Sequence, residues 1–165
     1  MLFRSGGGVA AVTSTVLLVR HAAAASRRDW TGDDGDRPLT ERGEQQAVGL
    51  IGQLADHPVA RVLSSPARRC VDTVVPLAAV RGRTIERVQA LAEGTADAAL
   101  DLLLEMEGGV VACTHGDVIG AMLDELQQRG WDFPPELRYA KGSTWVLAAA
   151  ARRATYLPPP SLPST

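Results

Sequence analysis

Residues 14–26 read STVLLVRHAAAAS, and the order of residue types in that stretch decides the fold. Thr15 to Val19 are apolar or β-branched without a break, the pattern of a short buried strand. The strand runs straight into Arg20 and His21, and then into four alanines. A buried strand has no packing reason to end on a guanidinium and an imidazole. The pair is therefore the first candidate for chemistry.

Outward from that strand, short β-rich runs alternate with helical patterns. Further strands are expected at 59–63 (VARVL), 84–88 (TIERV), 109–114 (GVVACT) and 143–150 (STWVLAAA). A first helix starts at Thr40, a good N-cap, and places Ala47, Leu50, Ile51 and Leu54 on one face. A second starts at Ser65-Pro66, read as an N-cap followed by proline at the first helical position, and Pro76 should bend or shorten it. A third covers roughly 95–107. A fourth, 117–129, buries Val118, Ile119, Met122, Leu123 and Leu126 and stops at Gly130. This alternation predicts a three-layer α/β/α fold with a mostly parallel central sheet.

The bulk properties fit one such domain. The chain has 165 residues, 45% apolar and 22% charged, with net charge −2. That charge advertises neither nucleic acid nor an anionic membrane as a partner, and no apolar run approaches the ~20 residues needed to span a bilayer. Cys70 and Cys113 lie far apart in sequence; we expect two buried thiols in a reduced compartment, with one disulfide as the alternative. The opening MLFRSGGGVAAV loosely resembles a signal peptide, but three glycines break it, and cleavage after the alanines would discard Arg20-His21. Residues 1–12 are expected to be a flexible lead-in, 13–157 the domain and 158–165 an extended proline-rich tail, in a cytoplasmic protein.

In doubly wound sheets, ligands bind beyond the carboxyl ends of the strands. The first strand ends in Arg20-His21. The second leads into SSPARRCVDT, which carries Arg68 and Arg69 into a helix. The fourth ends in THGDVIG, with His115 followed at once by Gly116 and a helix start. Each feature has a plain structural reading: a hydrogen-bonded histidine, a solvated arginine pair, a glycine easing a turn. Together, three strand ends offer Arg, His, Arg and His to one crevice with no competing carboxylate at those ends, and helix N-termini add N–H donors. That is a pocket for a phosphoryl group.

The motifs LVRHA, RPLTERGEQQA, LSSPARRCVDT and CTHGDVIG resemble, in order and spacing, those of the histidine phosphatase superfamily (phosphoglycerate-mutase-like fold). The likeness covers roughly residues 15–150. It is strongest to short SixA-like phosphohistidine phosphatases and to the histidine-phosphatase domain attached to actinobacterial MutT-type Nudix hydrolases. The latter likeness extends to SRRDWTGDDGDRPL (26–39) and KGSTWVL (141–147); no Nudix box is present in this sequence.

The resemblance implies a phosphatase that forms a phosphohistidine on His21. Arg20 and Arg69 would hold the non-bridging oxygens, and His115 would stabilise the transferring group. The motif places the family arginine on Arg69 and its threonine on Thr73, four residues apart on one helix face, with Arg68 turned about 100° towards solvent. Glu93 falls where relatives often carry an acid/base residue, and reads equally as a surface glutamate. Gly116 and Lys141, with Ser143, are further candidates for phosphate contact; Asp33, Asp34 and Asp36 read as a solvated rim. No cofactor or metal is implied, since cationic side chains neutralise the phosphoryl charge. His21, His57, His115 and Cys113 lack recurrent metal spacing. The substrate would be a phosphorylated small molecule, a nucleotide or a phosphoprotein. The alternatives are a phosphomutase or a non-catalytic phosphate-binding module. One departure stands out: Ala22 occupies the position where the family usually has glycine.

Overall fold

The computed structural model describes residues 14–94 and 96–162. The expected lead-in at 1–12 lies outside the described residues. In chain order the elements are β1 (Ser14–Arg20), α1 (Glu41–Gln53), β2 (Arg61–Ser64), α2 (Arg68–Arg81), β3 (Ile85–Arg87), α3 (Ala96–Leu104), β4 (Gly108–Thr114), α4 (Gly116–Gln128), β5 (Thr144–Ala148) and β6 (Arg153–Leu157). Short 3-10 turns at Asp34–Asp36 and Gln89–Leu91 punctuate the loops beyond the strand ends.

The sheet has the order β3-β2-β4-β1-β5-β6. The first four strands of that order are parallel, and β5 and β6 complete the sheet antiparallel. β1 sits inside it, which explains its unbroken apolar run: Val16 to Val19 are all completely buried. Alternate β1 residues face opposite layers. Val16 and Leu18 pack with α3 and α4 residues such as Leu100, Leu103, Ile119 and Met122. Leu17 and Val19 pack with Leu50, Leu54, Val74 and Leu77 of the α1–α2 side. The fold is thus a three-layer α/β/α sandwich around a mostly parallel sheet, as expected.

Three local expectations are corrected. The second helix begins at Arg68 with Ala67 at the N-cap position and no side-chain cap, because the hydroxyl of Ser65 is engaged elsewhere. Pro76 does not end that helix, which continues to Arg81. Proline removes one bond to Asp72, a residue at the layer's partly exposed edge, while Val74, Leu77 and Ala78 bury their side chains against the sheet. The proline-rich tail is not free at its start: Pro158 O accepts a bond from Gln53 Nε2 at 2.6 Å, and Pro160 is buried beside Gly49 of α1.

β6 was not expected at all. The hairpin that creates it turns through Ala149 to Arg152, with none of the glycine, asparagine or aspartate that usually marks a turn. Arg152 itself adopts the left-handed conformation, with φ 52°.

Candidate active site

Parallel pairing of β1 with β4 sets Arg20 opposite Thr114. The residue that follows each strand is a histidine, so His21 and His115 emerge side by side, ring centroids 5.7 Å apart. The backbone at this point is tightly fastened. His21 N–H donates to Thr114 O, and Gly142 N–H reaches both Arg20 O and His21 O at 3.1 Å. Gly142 holds φ 85°, a conformation that favours glycine.

The alanines after His21 thread between the helices of one layer. Ala22 N–H donates to Thr73 Oγ1 at 2.9 Å, and that hydroxyl donates on to Arg69 O at 2.6 Å. Ala23 N–H donates to Gln46 Oε1, and Ala23 O lies so close to Gly43 that a side chain on Gly43 could not fit. Small residues are needed because backbone, not side chain, fills this space. Ala22 takes the place of the usual glycine while completely buried and without positive φ.

His21 is 6% exposed, and its Nδ1 is 2.9 Å from Ala22 O, which can only accept. The proton therefore sits on Nδ1 and the lone pair on Nε2. Burial lowers the imidazole pKa to about 3; the Ala22 bond opposes this, and the positive charges of Arg69 and Arg20 add to the depression. The ring is neutral throughout the physiological range.

That shift carries a stability consequence. The unfolded chain takes up a proton on His21 near pH 6.5, whereas the folded one resists until about pH 3. Between those values the unfolded state binds more protons, so stability falls as pH falls through the window. At pH 4.5 the penalty is about 3 kcal/mol. Urea unfolding should show wild type losing about that much more than His21→Asn between pH 7 and pH 4.5. Equal losses would mean that the folded imidazole is charged.

Around the two histidines lies a cavity of about 290 Å³, lined by Arg20, His21, Arg27, Arg69, Glu93, His115, Gly116, Asp117 and Tyr139. Arg20 donates through Nη1 to Tyr139 O at 2.8 Å. Its guanidinium lies against the Cα of Gly116, where an added methyl would come within 2.9 Å of it. Glycine after His115 thus clears space for Arg20 rather than easing a turn.

Arg69, at 1% exposure, donates to Asp34 O and to Glu93 Oε1, at 3.0 and 2.9 Å. Its Nη2 also lies 3.4 Å from His115 Nδ1. The Nε atoms of Arg20 and Arg69 are both buried with no partner among the described residues. Arg68 points outward and pairs with Asp72.

Five expected residues (Arg20, His21, Arg69, His115 and Gly116) thus line one cavity. Glu93 joins them, but not as an isolated carboxyl: it is bridged by Arg69 and by Arg27. Asp34, expected on a solvated rim, pairs with Arg69, Arg27 and Arg37. Although desolvation acts the other way, those guanidiniums, Arg69 foremost, hold its carboxyl below the usual range. Carboxylates therefore do compete for the arginines, although they reach the site from loops and not from the strand ends, where none was expected.

Lys141 is exposed and does not line the cavity, and neither does Ser143, which is buried. Partial burial and the positive field of Arg20, Arg37, Arg27 and Arg69 push the Lys141 ammonium down. Arg27, Asp117 and Tyr139 were not singled out in the sequence; Arg27 and Asp117 lie in the SRRDW and THGD segments, whose charge was the available signal. Cys70 and Cys113 are buried free thiols. Among the described residues, no group of three or more His, Cys, Asp or Glu could hold a metal ion, and no helix is long and apolar enough to cross a membrane.

The model of the histidine phosphatase superfamily (branch 1) matches residues 16–97. Over 158 residues the chain is 37% identical to the 8-oxo-(d)GTP phosphatase of Mycolicibacterium smegmatis (strain ATCC 700084 / mc(2)155), covering 90% of this chain and 49% of that protein. The chain thus spans about half the length of that relative. Among solved structures, the SixA protein of Nakamurella multipartitia superposes with TM-score 0.67 at 26% identity, covering 92% of this chain and 97% of that one. The protein histidine phosphatase SixA in complex with tungstate gives 0.63 at 20% identity, covering 89% and 96%.

Proposed function

The chain belongs to the histidine phosphatase superfamily, and from that premise we propose that its 13–157 region hydrolyses phosphorylated substrates through a phosphohistidine on His21. The observation that carries this reading is the setting of His21: a neutral imidazole, Nδ1 occupied by Ala22 O, between two guanidiniums and a second imidazole.

Nε2 of His21 attacks phosphorus in line, the N–P bond forms, and the bond to the leaving group breaks with its electron pair. Charge on the three equatorial oxygens is met by Arg20, Arg69 and His115. The unpartnered Nε donors of the two arginines are suited to those oxygens. N–H groups at the start of α4 and its dipole act in the same sense. In this reading Glu93 exchanges a proton with the leaving group and the incoming water, once the phosphoryl group draws Arg69 and Arg27 away from it. Water then attacks the phosphohistidine, the N–P bond breaks, and phosphate leaves.

The relatives' names point to nucleotides and phosphohistidine as the substrate classes to try first. The test is rapid base quench with labelled substrate, run in excess EDTA because no step is routed through a metal ion. Digestion and mass spectrometry should place an acid-labile, base-stable label on the peptide containing VLLVRHAAAAS. An acid-stable label, or one on Ser64, Ser65 or Cys113, would overturn the mechanism.

A further inference from the structure

Ser65 follows the last residue of β2 and is 1% exposed. It does not line the cavity around the two histidines. Its N–H donates to Cys113 O at 2.9 Å, tying it to the neighbouring strand two residues before His115. Its Oγ lies 2.8 Å from His115 Nε2 and accepts from Ala67 N–H at 3.3 Å.

The two edges of the His115 ring face different chemistry. Nδ1 is turned towards the cavity, 3.4 Å from Arg69 Nη2 and 3.9 Å from Glu93 Oε1. A guanidinium nitrogen has only protons to offer, so Nδ1 opposite it presents its lone pair. The proton of neutral His115 then belongs on Nε2, where Ser65 Oγ accepts it. Cys70 Sγ, 3.7 Å away, is a far weaker acceptor. Without a partner on Nε2, the ring has two tautomers and two flipped orientations available.

We propose that Ser65 is a positioning residue, which holds the proton of His115 on Nε2 and so keeps Nδ1 aimed at the transferring phosphoryl group. When a phosphoryl dianion enters, Nδ1 takes up a proton and donates to a phosphoryl oxygen while Nε2–H stays on Ser65. The catalytic consequence rests on the phosphatase reading above; the effect on the tautomer does not.

The test uses nitrogen-15-labelled, substrate-free full chain and NMR correlations of the histidine ring nitrogens. Wild type should show His115 Nε2 protonated and Nδ1 bare. In Ser65→Ala the two nitrogens should move towards averaged values. Turnover of p-nitrophenyl phosphate should fall about 10- to 100-fold in kcat, the loss equivalent to one hydrogen bond to a charged group, with KM changed less than about threefold. If the alanine variant does not fold, Ser65→Cys, close in volume but a weak acceptor, should give the same nitrogen shifts. Wild-type ring shifts in a folded Ser65 variant overturn the proposal, whatever happens to kcat. Moved shifts in a protein whose activity survives His21→Asn would leave the positioning role standing and remove the phosphatase reading instead.

Discussion

Replacement of His21 by asparagine is expected to lower turnover by about five orders of magnitude or more, as removal of a covalent nucleophile does elsewhere. Asparagine is the informative choice. Its amide can keep a donor to Ala22 O, the bond that Nδ1 makes now, so the loop that leads from β1 into α1 stays fastened. What disappears is the lone pair on Nε2. Turnover of p-nitrophenyl phosphate by wild type and variant measures the loss, and near-equal circular dichroism would show that the fold persists. Residual activity above about 1% would mean that the nucleophile lies elsewhere. The same variant, unlike wild type, should yield no base-stable label.

Arg69 and Arg68 make the second large contrast. Arg69→Ala should cost about 10²- to 10³-fold in kcat, the range for loss of a preorganised charge-stabilising donor. Arg68→Ala should stay within about twofold, since an exposed pair of four-residue spacing is worth little. The two residues are adjacent and chemically identical, so composition and net charge are matched between the variants. Arg69 also holds Asp34 O and Glu93, and its removal frees both loops on that side of the cavity. Comparable losses from both variants would remove Arg69 as the specific phosphoryl clamp.

The parts of this site that were legible in the sequence are those written by secondary structure. Strand ends in a parallel sheet are fixed by the pattern of apolar runs, so Arg20, His21 and His115 could be placed together from that pattern. The choice of Arg69 over Arg68 followed from motif spacing and helical geometry. The carboxylates were not legible in the same way. Asp34 and Glu93 reach Arg69 from separate loops, 35 and 24 residues away in sequence, and no periodicity encodes where a loop crosses. Ser65 was misread for a related reason. A serine before a helix usually caps it, but here the adjacent strand presents an imidazole at 2.8 Å, and the tertiary partner wins over the local one. β6 escaped because its turn uses alanine and arginine, residues that carry no turn signal.

The pairing of β1 with β4 makes the spacing of the two imidazoles a stepped quantity. Adjacent strands lie roughly 4.8 Å apart, and sliding one along the other proceeds only by whole residues, each step reversing which layer a side chain faces. His21 and His115 can thus be near one another or lost to one another, with no gradual drift between. The loops that bring Arg27, Asp34 and Glu93 to the rim obey no such rule and can change length or residue type freely. A lineage built on this sheet could therefore vary what it accepts while its reacting pair stays fixed, and one deleted residue within β1 or β4 is the change it could not absorb.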